Sequence, residues 1–400
     1  MNLWNISIQN IKTKPLYTLL SIFILSISIA LLLGVQQLKS SFKNQIENNL
    51  DKIDVVVGAK GSPLQLVLAS VLHLDNPTGN IPYKEALKIS KNPLVKYAIP
   101  ISYGDNYKGF RIIGTTHSYT SLYSAELERG NKVENAMEVI LGNTVAQKLN
   151  LKIGDTLLSS HGLIENDIEL HKDLLTVVGI LKPTQKVIDR LIVTSLESVW
   201  HMHEHEDEHE DKDEDKDEVN HNTNNYHDGH HEKEITSLLI NFKTPRALLT
   251  FPKRINERTQ MQASLPKYEL HKLYEYTSIG FKTISLIAYL ILIISCITIF
   301  ISLYKMVKER AFDLAILRTY GASNFQLIRI VFYEGLMIAF ISFLLGLLLL
   351  KVGLSFIIYF IESNNQQNIL QELFFQDVLQ IGIITIIMVF ISVLLAIYPI

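Results

Sequence analysis

The chain holds 400 residues, 48% of them hydrophobic, with a net charge of −3 and one cysteine, Cys296. The near-neutral charge excludes nucleic acid as a partner, because phosphate recognition needs a concentrated basic face. The single cysteine excludes an internal disulfide and a cysteine-based metal site, and its apolar surroundings make it a packing residue.

In chain order, the first element is Leu16–Val35 (LYTLLSIFILSISIALLLGV), uncharged and long enough for a bilayer-spanning helix. Lys12 and Lys14 precede it as they would precede a signal peptide. The run is too long for such an apolar region and has no small-residue cleavage site before Gln36, so it is expected to stay as an anchor. Beyond Val35, Leu38, Phe42, Ile46 and Leu50 recur every fourth residue, and Lys43 and Glu47 are spaced to pair. That pattern predicts a helix continuing out of the membrane as a stalk.

The pattern then changes to mixed α/β. Strands are predicted at Ile53–Val57, Phe110–Ile113, Glu138–Leu141, Leu175–Ile180 and Leu191–Thr194, all short β-branched runs bounded by Gly, Pro or Asp. Asn143–Leu149 suits a short helix with an Asn cap. GAKGSP (Gly58–Pro63) lacks phosphate-loop spacing and reads as a turn after a strand, as does Asp75–Asn80. His73, His117, His161, His171 and His271 are scattered and read as ordinary surface or core residues.

Residues 200–234 depart from everything around them. Eight of the chain's thirteen histidines lie there, among Asp and Glu: His201, His203, His205, His209, His221, His227, His230 and His231. His205-Glu206-Asp207-Glu208-His209 matches H-E-x-x-H formally, but zinc hydrolysis needs a helix docked in a core, a third ligand and a dry cleft. Two readings stay open. The tract is either a solvated, self-repelling insertion, or a metal-buffering loop whose neutral imidazoles gather Zn²⁺ or a similar borderline ion weakly. Because strand-like ITSLLINF resumes at Ile235, the tract is expected to be a disordered insertion in a loop of a folded domain.

After Pro266, Leu270, Leu273, Tyr274 and Thr277 lead into Phe281 as a second stalk. The two stalks either bury their stripes against each other or cap the domain independently. Three more spans follow, Ile284–Leu303, about Gly335–Leu350 and about Val378–Tyr398. The segment after the second span carries Lys305, Lys308, Arg310, Arg318 and Arg329, whereas the one after the third has only Lys351 against Glu362, Glu372 and Asp377. Lys and Arg stay cytoplasmic, so the N-terminus is expected inside and residues from about 36 to 278 outside.

The cytoplasmic loop begins KERAFDLAILRTYGASNFQ at Lys308. Phe312, Ile316, Thr319 and Tyr320 share a helical face edged by Arg310, Asp313 and Arg318. Gly321 suits a left-handed C-terminal cap, and Ser323 with Gln326 forms a capping-box pattern opening the next helix. This helix either anchors the chain at the interface or docks a cytoplasmic partner.

One N-terminal span, a large external domain, three C-terminal spans and an E-R-x-x-[ED]-[IL]-x-x-L-R-x-x-G-A-S loop together resemble the FtsX/MacB family of ABC-transporter permeases. The matching loop residues are Glu309, Arg310, Asp313, Leu314, Leu317, Arg318, Gly321, Ala322 and Ser323. Glu334 matches a glutamate usual at the start of the third span. Its side chain is either wet at the interface or a buried charge with a basic partner. Val139–Asp155 and Leu175–Thr184 resemble the family's periplasmic core domain.

The resemblance implies a non-enzymatic half-transporter that dimerises and binds a separate ABC ATPase through Glu309, Arg310, Phe312, Asp313, Ile316, Leu317, Arg318, Tyr320 and Gly321. The chain carries neither a phosphate-binding G-x-x-x-x-G-K-[ST] nor an ABC signature, so ATP would be bound by that partner. Asp313 stands where Glu is commoner, and the family's basic tail after a final Tyr-Pro does not follow Tyr398-Pro399-Ile400.

The expected fold is an α-helical membrane protein with four transmembrane helices and a large mixed α/β extracytoplasmic domain inserted between helices 1 and 2. Its divisions are residues 1–35 (N-terminus and first span), 36–52 (stalk), 53–264 (core domain with the insertion 200–234), 265–283 (stalk) and 284–400 (permease domain, with the coupling loop 305–330). Its expected place is the plasma (inner) membrane, with the bilayer, a second permease copy and an extracytoplasmic adaptor or substrate-binding protein as further partners. The expected function is ATP-driven export or extraction of a substrate. The alternatives are non-transporting control of an external enzyme such as a cell-wall hydrolase, and metal handling through the histidine tract.

Overall fold

The computed structural model describes residues 15–50, 52–160, 170–202, 233–309, 312, 316, 318, 319, 321, 323–364 and 375–397. They form two compact units, Met1–Asn44 with Glu275–Ile400, and Gln45–Tyr274. The elements in chain order are α1 (Pro15–Leu50), β1 (Val55–Ala59), α2 (Pro63–Ser70), β2 (Ile81–Pro82), α3 (Tyr83–Ser90), β3 (Val95–Tyr107), β4 (Phe110–Thr115), α4 (Ser118–Leu122), β5 (Leu127–Gly130), β6 (Glu138–Leu141), α5 (Asn143–Leu149), β7 (Thr156–Ser160) and β8 (Leu170–Leu181). A 3₁₀ turn (Val187–Arg190) then precedes β9 (Ile192–Ser195), β10 (Glu234–Ile235), β11 (Ser237–Phe242), α6 (Ala247–Arg258), β12 (Met261–Ser264), α7 (Pro266–Glu309), α8 (Asn324–Asn364) and α9 (Phe375–Ile397).

The Gln45–Tyr274 unit is built on a ten-stranded sheet of order β12-β1-β11-β3-β4-β9-β6-β8-β5, with β7 pairing both β3 and β8. The pairings β3-β4-β9-β6-β8-β7-β3 therefore return to their start, and this half of the sheet curls round a core of Phe110, Ile112, Val139, Leu157, Leu175 and Ile192. The other half packs β1, β11 and β12 against α6 through Val55, Val57, Leu238, Ile240, Phe251 and Ile255. Most pairs are antiparallel, while β4 with β9 and β6 with β8 run parallel. Alternation of β-branched residues along these strands places one set in each core.

Two expectations for this unit are corrected, and one long strand was not expected. The first strand begins at Val55 and not Ile53, because Ile53 N donates to Leu50 O at 3.1 Å to finish the helix and the Asp54 carboxylate accepts Phe242 N at 2.8 Å. Helix α5 is capped at Gly142 and not at Asn143, which is buried and donates its amide to Leu181 O at 3.4 Å. The thirteen-residue β3 escaped the sequence reading, since Pro100 and Gly104 interrupt its alternation and its end is polar (GDNY).

The other unit holds four helices long and apolar enough to cross a membrane, with candidate spans Thr18–Leu50, Pro266–Glu309, Ile328–Phe356 and Val378–Leu395. Their shared core joins Leu25, Ile29 and Leu33 of α1 to Leu292, Ile299 and Leu303 of α7, Ile338 of α8 and Val389 and Val393 of α9. Small residues let the backbones close up: a Cβ on Gly346 would lie 3.0 Å from Ile29 Cγ2, and the Ser28 and Ser295 hydroxyls meet at 2.9 Å. Leu286, Leu290, Phe340 and Ile386 remain exposed, as residues facing lipid hydrocarbon would be. Cys296 is buried in this unit.

Candidate functional site

The loop between α7 and α8 is defined at both ends by local chemistry. At the close of α7, Lys305 Nζ lies 3.9 Å from Glu309 Oε1, one turn apart. Gly321 takes φ +91°, a conformation a side chain resists, and its N–H donates to Arg318 O at 3.0 Å. Ser323 N donates to Gln326 Oε1 at 3.0 Å and Gln326 N to Ser323 Oγ at 3.4 Å, the reciprocal pair of a capping box. Between these fixed ends, Phe312 is 76% and Ile316 39% exposed, both helical and four residues apart. Arg318 is exposed as well. Arg310, Asp313, Leu317 and Tyr320 lie outside the described residues. Glu334, in α8, is 2% exposed, so its carboxylate is buried.

Of the eight tract histidines, His201 is described, exposed at the end of a helical stretch over 196–202, and the other seven lie outside the described residues. The roots of the tract are held together. Trp200 Nε1 donates to Glu234 O at 2.7 Å, Lys233 Nζ sits 4.6 Å over the Trp200 ring, and Tyr83 N donates to Lys233 O at 2.9 Å. No group of three His, Cys, Asp or Glu suited to a metal occurs among the described residues.

Two features went unread in the sequence. A cleft of about 620 Å³ opens where the parallel strands β4 and β9 end, lined by Thr115, Thr116, His117, Lys132, Ser195 and Glu197. The second feature is a buried polar chain around His73, which holds a left-handed φ of +53°. The Tyr103 hydroxyl donates to Ala69 O, so His73 Nδ1–H donates to Tyr103 Oη at 2.8 Å and Nε2 accepts from Tyr119 at 2.9 Å. Burial first, then the positive charges of Arg111 and Arg190, push the His73 pKa down to about 3, so the ring is neutral at physiological pH. Its partners lie 30 and 46 residues away in sequence, and no spacing rule reaches that far.

Four apolar helices with an α/β unit between the first and second define a membrane protein carrying an extracytoplasmic domain. Residues 18–224 match the MacB-like periplasmic core domain and residues 285–400 the FtsX-like permease C-terminal domain. The chain belongs to this MacB/FtsX-like family of ABC permeases, which are transporter components and not enzymes. A protein of Buchnera aphidicola subsp. Schizaphis graminum (strain Sg), described as an uncharacterized membrane protein, is 32% identical over 131 residues. That alignment takes in 30% of this chain and 32% of the relative, so the chain spans about a third of the length of the curated relative it matches.

Among solved structures, the periplasmic region of MacB from Actinobacillus actinomycetemcomitans aligns at 10% identity, over 57% of this chain and 97% of that one, with a TM-score of 0.34. The extracellular domain of the ABC-type transporter YknZ from Gram-positive bacteria aligns at 9% identity, over 52% and 98%, with a TM-score of 0.31.

Proposed function

We propose that the chain is the permease half of an ATP-driven transporter in the plasma (inner) membrane. It works as a pair with a second permease copy and is powered by a separate ABC ATPase that docks on the loop after α7. ATP binds to that partner. The motion it produces passes along α1 and α7 to the extracytoplasmic unit, where a substrate is exported or extracted from the membrane surface.

The observation that carries this reading is the exposed Phe312–Ile316 pair, set between the end of α7 at Glu309 and the Gly321 turn with its following Ser323–Gln326 box. Exposed large apolar side chains at Phe312 and Ile316, in a sequence that also carries Glu309, Arg310, Asp313 and Arg318, suit a protein groove of mixed character.

The test is a photo-crosslinking amino acid at position 312 in the intact membrane. The reading expects a crosslinked band containing an ABC ATPase subunit; a band of lipid adducts alone would contradict it.

A further inference from the structure

Helix α1 is continuous from Pro15 to Leu50, and its last turn belongs to the α/β unit. A rod moves a load only where its end is fastened, so the contacts of residues 49–54 decide what α1 can displace. Asn49, 2% exposed, accepts the Val187 N–H on its Oδ1 at 2.9 Å across 138 residues of sequence. Lys52 O accepts from Tyr97 Oη at 2.7 Å and Asn241 Nδ2 at 3.2 Å, which ties the next residues to β3 and β11.

The turn that Asn49 grips is stiff. The Asp189 carboxylate accepts from Thr184 N, Thr184 Oγ1 at 2.8 Å and Gln185 N at 2.7 Å. Lys186 Nζ donates to Tyr123 O at 3.1 Å. A Cβ on Gly142 would lie 2.4 Å from the Asp189 carbonyl, so backbone presses on backbone there. From Val187 the chain runs straight through the 3₁₀ turn into β9, and Thr194 and Ser195 at its far end, with Leu196 and Glu197 just beyond, line the 620 Å³ cleft.

We infer that Asn49 is a positioning residue: through Val187 it lets α1 shift β9, and so changes the width of the cleft at the end of that strand. The cleft is then the part of the extracytoplasmic unit that ATP hydrolysis opens and closes. This inference rests on the ATP-driven reading above. A buried amide–backbone bond suits the task because its acceptor has no water to exchange with, so the contact does not slip under a small displacement.

The experiment places spin labels at Glu197→Cys and Lys132→Cys, on two walls of the cleft, in a Cys296→Ser background. The complex, purified with its ATPase in lipid nanodiscs, is measured without nucleotide and with ATP plus vanadate, which traps ADP in the site after one hydrolysis. The unaltered Asn49 protein should show a shift in interspin distance. Asn49→Ala should keep hydrolysing ATP while that shift is lost, and Asn49→Asp, which keeps an acceptor oxygen at the same reach, should restore it. If Asn49→Ala does not assemble, Asn49→Gln, whose oxygen is displaced by one methylene, replaces it with the same two outcomes. A shift in Asn49→Ala equal to that of the unaltered protein overturns the inference. No shift in the unaltered protein while the complex hydrolyses ATP also overturns the inference, whereas a purified permease that carries no ATPase and hydrolyses no ATP overturns the ATP-driven reading beneath it.

Discussion

Ser323 and Gln326 each satisfy the other's backbone: the Ser323 N–H reaches Gln326 Oε1 at 3.0 Å, and the Gln326 N–H reaches Ser323 Oγ at 3.4 Å. The pair sets where α8 starts, just beyond the Gly321 turn. Ser323→Ala removes one of the two bonds and should destabilise the first turn of α8 by about 1 kcal/mol. Hydrogen exchange at the amides of Phe325 to Leu327 should then speed up roughly five-fold, by the usual conversion of free energy to an equilibrium constant. Unchanged exchange would mean that the turn is held by other contacts.

The buried His73 makes the extracytoplasmic unit sensitive to acid. Its pKa falls from 6.5 to about 3 on folding, so below pH 6.5 the unfolded chain takes up a proton that the folded one refuses. This contribution is fully favourable above 6.5, declines as pH falls toward 3, and is about 2 kcal/mol smaller at pH 5 than at neutrality. Hydrogen exchange of the β3 amides, corrected for intrinsic rates, should show that loss in the unaltered protein. In His73→Gln, which cannot titrate, the pH dependence should be weaker by one proton, and equal slopes would contradict the assignment.

The histidine tract should be removable. Trp200, Lys233, Glu234 and Tyr83 already hold its two roots together, so deleting residues 203–232 and joining the ends with a short Gly/Ser linker loses none of the described core. The change in loop closure is worth only about 1 kcal/mol. Calorimetry of the full-length protein should show zinc uptake falling on deletion, and uptake by the undeleted chain should weaken at low pH as imidazoles protonate. Equal zinc uptake by both forms would make the tract a solvated insertion only.

What could be read from sequence was what depends on near neighbours. The four spans follow from runs of uncharged residues, and the Gly321 turn and Ser323–Gln326 box from spacings of three or fewer. The short strands at Phe110, Glu138 and Ile192 carry enough β-branched residues to announce themselves within a residue or two of their ends. Features built from distant residues were not legible. Asn49 sits in an unremarked ENNLD, and nothing local says that its amide will meet Val187. Asn143 has the composition of a cap, yet tertiary burial turned its side chain toward Leu181 and left the capping position to Gly142. The cleft needed the parallel pairing of β4 and β9, which no single segment encodes.

The account turns on docking at the loop after α7, and the most direct measurement is the amount of ABC ATPase that co-purifies with Phe312→Ala/Ile316→Ala from native membranes. Each large apolar anchor typically contributes about 2 kcal/mol or more to such an interface. The double variant should therefore lose nearly all of its ATPase while reaching the membrane in the same quantity, because neither exposed side chain contributes to the core of the four spans. Undiminished ATPase co-purification would contradict the docking claim and leave the Phe312–Ile316 face as a contact with lipid.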